Sequence, residues 1–227
     1  SANTGNSAAD RWEFTPTFAS SSAVEFSRYN GVTSGDLSYQ IVSHPGITVQ
    51  RGTISVGATS AGTNVTINAV DLSKAFIIVH GRVNSGSNGD ANQGFFRVSF
   101  TNSSAISIER QTTGSAANAS YQVVEWKGTS VQRGNVSFTD SANVSITKVD
   151  TNKSILLFGT AFSGSTALED NFIRGQFTDL SNISFSKVGL TSTAYVAWFV
   201  IDFTNGTMVQ NGTTTISSDT NVALSAV

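Results

Sequence analysis

Apolar and polar residues alternate along most of the chain, and this pattern predicts β-strands rather than helices. Residues 64–70 and 105–110 alternate with a period of two, as expected of strands that bury one face. Residues 75–80 form a continuous apolar run instead, which is typical of a central strand buried on both faces. About 17 strands can be placed in this way, so the chain is predicted to be all-β. The residues expected in the core are Phe76, Ile78, Phe100, Ile106, Ile108 and Val123.

A recurring tetrapeptide divides these strands into units. Val-Gln-Arg-Gly occupies positions 49–52 and 131–134, and Val-Gln-Asn-Gly occupies positions 209–212. A second strand recurs with nearly the same spacing, at positions 64–70, 143–149 and 221–227. Recurrence at a nearly fixed period is the sequence signature of repeated structural units.

Counted from the tetrapeptide, one unit contains six strands, and two complete units are flanked by partial ones. The expected divisions are a flexible arm at 1–10, a partial unit with strands four to six at 11–48, complete units at 49–130 and 131–208, and a partial unit with strands one and two at 209–227. Two divisions of the chain are open. Either each unit starts at the tetrapeptide, and residues 11–44 complete a third sandwich with residues 209–227, or each unit starts at strand four and the third unit ends early at Val227. In both cases the third copy of strand three is missing, and we expect a second subunit or another protein to cover the open edge.

The six-strand unit resembles the H-type lectin domain, a six-stranded antiparallel β-sandwich. The likeness rests on the tetrapeptide, the apolar strand at 75–80, the Phe-containing strand at 96–100 and the aromatic strand at 121–126. H-type lectin domains assemble as trimers, and related sandwiches occur in phage tail fibres and other virion appendages. The resemblance therefore implies antiparallel sandwich units with pseudo-threefold symmetry in a homo-oligomer that contacts other virion proteins and host glycans.

The composition and the absence of certain motifs argue against several functional classes. The net charge is −2 and 12% of residues are charged, so the basic footprint of a nucleic-acid-binding protein is absent from the sequence. No apolar run approaches the roughly 20 residues of a membrane-spanning helix, and no cysteine is present for disulfides or thiolate metal sites. Motifs for a serine nucleophile, a phosphate-binding loop or a histidine–carboxylate pair are also missing, so no catalytic residue is assigned.

The sequence thus predicts a non-enzymatic structural component of a virion surface or tail. An extracellular carbohydrate-binding adhesin or lectin is the alternative, and a polysaccharide-processing enzyme is a third hypothesis. The third would need two carboxylates facing one glycosidic bond, and the acidic residues are thinly scattered. The location that these hypotheses share is the virion surface or the extracellular space.

The loops that follow strand three are the candidate ligand sites. Both loops are rich in small polar residues, and the oxygen-bearing candidates in them are Asn88, Asp90, Asn92, Glu169 and Asp170. Carboxylate and amide oxygens in a flexible loop suit a hard cation such as Ca²⁺, or the hydroxyl groups of a sugar. A solvated hairpin turn explains the same composition, and no other cofactor is indicated.

Basic residues that recur with the repeat are the candidate interface residues. They are Arg28, Arg51, Arg110, Arg133 and Lys187. A basic residue at the same place in each unit could line the pseudo-symmetry axis and pair there with Glu25, Glu109, Asp71 or Asp150. Ordinary rim charges at strand ends are the alternative explanation.

Overall fold

A computed structural model describes residues 13–29, 37–85, 92–164, 172–214 and 222–223. Within these ranges the chain forms fourteen β-strands and no α-helix, and no helix there is long and apolar enough to cross a membrane. The strands are β1 (Thr15–Ser20), β2 (Ala23–Ser27), β3 (Ile47–Val56), β4 (Gly62–Thr66), β5 (Ala75–Val83), β6 (Arg97–Asn102), β7 (Ala105–Glu109), β8 (Ala117–Trp126), β9 (Thr129–Phe138), β10 (Ser141–Ser145), β11 (Ser154–Ser163), β12 (Arg174–Asp179), β13 (Asn182–Ser186) and β14 (Thr193–Phe203).

The strands pair as two copies of one six-stranded sandwich. In unit one (β3 to β8) the sheets have the orders β3-β8-β5 and β4-β7-β6. In unit two (β9 to β14) the orders are β9-β14-β11 and β10-β13-β12, so equivalent strands occupy equivalent places. Every pair is antiparallel. The predicted all-β fold of repeated antiparallel sandwich units is confirmed.

Three of the predicted strands are not among the fourteen. Residues 39–42 and 209–212 are described and have no strand conformation, whereas most of 221–227 lies outside the described residues. A strand persists only where neighbouring strands take up its N–H and C=O groups. The counterpart of 39–42 in unit one is β8, which lies between β3 and β5, and the described chain provides no such neighbours for 39–42.

The partial unit (described residues 13–29 and 37–44) contains one hairpin. Among the described residues, strands β1 and β2 pair only with each other, and β1 packs beside β5 and β8 of unit one. A small aromatic cluster holds the hairpin to the following segment, because Phe26 contacts both Phe14 and Tyr39 with ring centroids 6.2 and 5.6 Å apart. The predicted arm at 1–10 lies outside the described residues.

Strand β14 is buried on both faces and contributes to two cores. Ala194, Val196 and Val200 pack in the core of unit two. Phe199 and Ile201 point the other way and join the core of unit one. An aromatic pair crosses the boundary between the units, with the rings of Phe100 and Phe199 edge to face at 6.3 Å. The continuous apolar run of β14 therefore reflects contact between units.

The core predictions hold for most of the residues named. Phe76, Ile106, Ile108 and Val123 are buried, while Ile78 and Phe100 are half-buried. The expectation that residues 75–80 form a central strand is wrong, because β5 pairs only with β8 and lies at the edge of its sheet. Its first three residues are nevertheless buried.

Candidate functional site

The recurring tetrapeptide lies at the contact between successive units. Its glutamine makes hydrogen bonds inside its own unit, to the segment that follows the second strand. Gln50 donates from Nε2 to the Asn68 carbonyl at 2.9 Å and accepts from the Asn68 N–H at 2.6 Å. Gln132 makes the same two bonds to Thr147, at 2.8 and 2.6 Å. Each amide thereby satisfies both backbone groups of a residue just past the end of β4 or β10.

The glycine of the tetrapeptide makes room for an aromatic ring from the central strand. Gly52 stands opposite Tyr121 in the register of β3 and β8, and Gly134 stands opposite Trp198 in the register of β9 and β14. A Cβ atom on Gly134 would lie 2.6 Å from Cζ2 of Trp198. An aromatic side chain that covers a cross-strand glycine protects the exposed backbone there. The sequence carries this signal as a Gly–aromatic pair kept in both units.

The arginine of the tetrapeptide reaches across to the preceding unit. The Arg51 guanidinium lies 4.3 Å from the ring centroid of Phe18 in the partial unit. The Arg133 guanidinium lies 5.2 Å from the ring of Phe100 in unit one. We call this repeated contact the Phe–Arg seam. Because Phe18 and Phe100 occupy the same place in strands β1 and β6, the seam is a property of the repeat and not of one unit.

The expected carboxylate partners of these arginines are replaced by rings. Ion pairs among the described residues join Lys74 to Asp71, Arg97 to Glu109 and Lys153 to Asp150. None of them includes Arg51 or Arg133, because the strand register places phenylalanine in front of each guanidinium. Burial lowers the pKa of Arg133, and the Asp71 carboxylate of unit one offsets part of that shift.

The seam continues beyond unit two with asparagine in place of arginine. A surface cavity there is lined by residues 175–178 of β12 and by Asn211, Gly212 and Thr213. The equivalent cavity beside the partial unit is lined by Phe18 and Arg51. Asn211 donates from Nδ2 to the Thr151 carbonyl at 2.7 Å and to the Ser154 carbonyl at 3.1 Å. The third copy of the tetrapeptide thus lies on unit two where a first strand would begin.

Equivalent positions from all three units line one further cavity, of about 330 Å³. The segments entering β1, β6 and β12 contribute Glu13, Phe95 and Phe172, which share one position of the repeat. Strands β5 and β11 add residues 79–81 and 158–160. Units whose equivalent positions meet at one point are arranged around a common axis, so we call this space the axial cavity. The partial unit contributes no copy of strand three to its described lining.

Two ionisable side chains lie on the axial cavity. Glu13 accepts a hydrogen bond at Oε2 from the Val83 N–H at 2.7 Å, which ties the partial unit to β5. His80 is exposed and borders two surface cavities. The surrounding protein still withholds water from the charged form of the ring, and this desolvation lowers the pKa of His80.

Two of the predicted interface residues lie inside their own units. Arg110 is 1% exposed, and its guanidinium donates to backbone carbonyls of five residues in unit one. Those acceptors are Gly57, Ala58, Ser60, Gln93 and Ser115. Lys187 takes the equivalent place in unit two and donates to the Gly189 carbonyl and the Ser192 hydroxyl. Both residues therefore pin loops of a single sandwich, and burial lowers the pKa of Arg110. Arg28, just past β2, is half-buried.

The ligand site in the predicted loops stays a prediction, because four of its five residues lie outside the described residues. Asn88 and Asp90, and likewise Glu169 and Asp170, lie outside the described residues. Asn92 is described and is buried, and it donates from Nδ2 to the Thr112 hydroxyl at 3.3 Å. Thr112 in turn donates to the Phe162 carbonyl of unit two at 2.8 Å. Asn92 is thus part of a contact between units. The described ranges hold no cluster of three or more His, Asp or Glu side chains able to bind a metal ion.

Comparison with known protein families, curated proteins and solved structures finds no match for the chain. The resemblance to H-type lectin domains and to phage structural proteins therefore stays a prediction. The geometry on its own provides an apolar and aromatic surface between units, which is repeated along the chain and left open at the partial unit. Such a surface can bind protein.

Proposed function

We propose that this protein is a non-enzymatic structural subunit that assembles through its β-sandwich units, as a component of a virion surface or tail. The observation that carries the proposal is the open partial unit. Ile41 and Val42 are 58% and 69% exposed there, while their counterparts in unit one, Val123 and Val124, are buried. Contiguous exposed apolar side chains at positions that a complete sandwich buries mark a surface that another protein covers.

The space behind these side chains supports the same conclusion. A cavity of about 420 Å³ lies between the β1–β2 hairpin, residues 37–41 and the face of unit one that carries Ile78 and Gln122. Interiors of folded proteins are close-packed, and an apolar cavity of this size lacks the side chains that would fill it. Leu37 and Tyr39 border the cavity and are exposed. The partial unit therefore needs further strands, which an assembly can supply.

Light scattering of the full chain tests the assembly. We expect an oligomer at micromolar concentration, and we expect Ile41→Ser with Val42→Ser to shift it towards the monomer. Val188→Ser is the control, because Val188 is also apolar and exposed but lies on unit two. A monomeric wild-type chain, or a double variant that assembles like the wild type, would overturn the proposal.

The virion location rests on the likeness of the tandem units to phage structural proteins, which the comparisons leave untested. The gene's neighbourhood provides an independent test. Genes for capsid or tail proteins beside it are expected. A neighbourhood of polysaccharide-degrading enzymes or secreted adhesins would contradict the location, even if the chain proves to be oligomeric.

A further inference from the structure

Both complete units close their second sheet with the same strand pair in the same register. In unit one Val65 of β4 stands opposite Ile106 of β7. In unit two Val144 of β10 stands opposite Ile183 of β13. The repeat makes β2 the counterpart of β7 and β13, with Val24 in the place of Ile106 and Ile183.

The partial unit lacks this pair in the part of the chain that the structure describes. Strand β2 pairs with β1 on one side, and no described residue forms a strand along its other edge, where backbone N–H and C=O groups are left open. An open edge of this kind is a template for an added strand. Val24 is half-buried on this strand, and Phe26 borders the cavity of the partial unit.

The chain carries the sequence of the strand that would fit. Residues 221–227 read Asn-Val-Ala-Leu-Ser-Ala-Val, and they align with residues 64–70 and 143–149 at the Asn-Val start and at the final valine. The valine after the asparagine is half-buried in both complete units, as Val65 and Val144, and packs against their cores. Its third copy, Val222, is 61% exposed.

The chain that leads to this segment continues the repeat on the surface of unit two. The Val209 N–H donates to the Asn152 carbonyl at 2.7 Å, in the turn before β11. Strand β9 makes the equivalent approach to the turn Leu72–Lys74 before β5. Residues 209–213 therefore begin a further unit on unit two, as β9 begins unit two on unit one. Among the described residues, neither the exposed Val222 nor the open edge of β2 has a strand partner.

We propose that residues 221–227 of one copy add as an antiparallel strand to the open edge of β2 in a second copy. The register of the complete units places Val222 opposite Val24 and Ala223 opposite Ala23. The inference rests on the proposed assembly function and names the segment that performs it. Each copy gives a strand through one end and receives a strand at the other, so the contact is heterologous.

Engineered cysteines test the pairing directly, because the natural chain contains none. Directly opposed residues of an antiparallel pair have Cα atoms about 4.5–5.5 Å apart, within the range that a disulfide spans. Single variants are made at four positions: Val24→Cys, Ala23→Cys, Val222→Cys and Ala223→Cys. Variants of β2 and of the tail, distinguished by a size tag, are refolded together and then oxidised.

The matched combinations, 24 with 222 and 23 with 223, should form the mixed disulfide at least about tenfold faster than 24 with 223 or 23 with 222, since neighbouring residues of a strand face opposite sides. The 23–223 pair is exposed on both strands, so it keeps the test valid if a cysteine at Val24 disturbs folding. Equal rates for all four combinations, or no mixed disulfide, would overturn the proposed pairing.

The double variant Val24→Cys with Val222→Cys separates two copies from one. Disulfide-linked dimers and larger species support exchange between copies. A disulfide that leaves the chain monomeric shows that the tail closes on its own partial unit, and it overturns the role of a second copy. An oligomer seen by light scattering without any mixed disulfide also overturns the pairing, while the proposed assembly function then stands.

Discussion

At the scale of single residues, the tetrapeptide joins four different physical roles in four consecutive positions. Val131 is buried against the core of unit one, Gln132 holds a backbone segment, and Arg133 covers a phenylalanine ring. Gly134 has no side chain because the indole of Trp198 occupies that space. Each position is constrained by a different neighbour, which accounts for the appearance of all four together in every complete unit.

The glycine provides the sharpest test at this scale. We expect Gly134→Ala to lower the free energy of unfolding by about 1–3 kcal/mol, because the new methyl group must displace a buried indole. Chemical denaturation measures the loss. Gly57→Ala is the matched control, since no atom lies within 4 Å of a Cβ built there. Equal stability of the two variants would mean that the Gly–aromatic contact contributes nothing.

At the scale of strands and loops, sequence patterns located most elements but not their surroundings. Alternation predicted a strand at 105–110, and β7 occupies Ala105–Glu109. The same reasoning failed at residues 39–42, whose pattern is that of β8 but whose neighbouring strands are missing from the described chain. A strand depends on partners that are distant in sequence, and local alternation carries no information about them.

Residues of the candidate site could be predicted only where they recur in each unit. Conservation of Arg51 and Arg133 between units identified both residues, but their ring partners depend on how units pack. Arg110 was found for the same reason and assigned to the wrong place. Its five carbonyl acceptors come from three separate loops of unit one, and their spacing in the sequence does not predict that they meet around one guanidinium.

The Phe–Arg seam is tested by removing one of its cations. Arg133→Ala should lower the free energy of unfolding by about 1–2 kcal/mol, because a desolvated cation–π contact and the packing of the arginine stem are both lost. Lys127→Ala is the control, since Lys127 is exposed and such changes usually stay within about 0.5 kcal/mol. Indistinguishable thermal melting curves for the two variants would show that Arg133 is an ordinary rim charge and that its contact with Phe100 does not stabilise the fold.

At the scale of the whole molecule, the three units meet at the axial cavity, and His80 makes that junction sensitive to pH. The fold lowers the pKa of His80 from its ordinary value of 6.5. Below pH 6.5 the unfolded chain therefore binds a proton that the folded chain does not, and stability falls as the pH drops towards the folded pKa. Above pH 6.5 both states are neutral at this residue and its contribution is constant.

Melting temperatures between pH 7.5 and 5.5 measure this linkage. We expect the wild-type protein to lose stability over this range, and His80→Gln to lose less, since glutamine stays neutral at every pH. Comparing the two slopes removes the contribution of carboxylates, which both proteins share. A variant whose melting temperature falls as steeply as that of the wild type would show that His80 carries no part of the pH dependence.

The burial of β14 on both faces decides how the molecule comes apart. One face of the strand packs in the core of unit two and the other face packs against unit one, so separating the units would expose Phe199, Ile201 and the apolar side chains around them to water. Tandem domains joined by flexible linkers can unfold independently, one after another. Here side chains of β14 belong to both hydrophobic cores, and we expect the two sandwiches to unfold as one cooperative block.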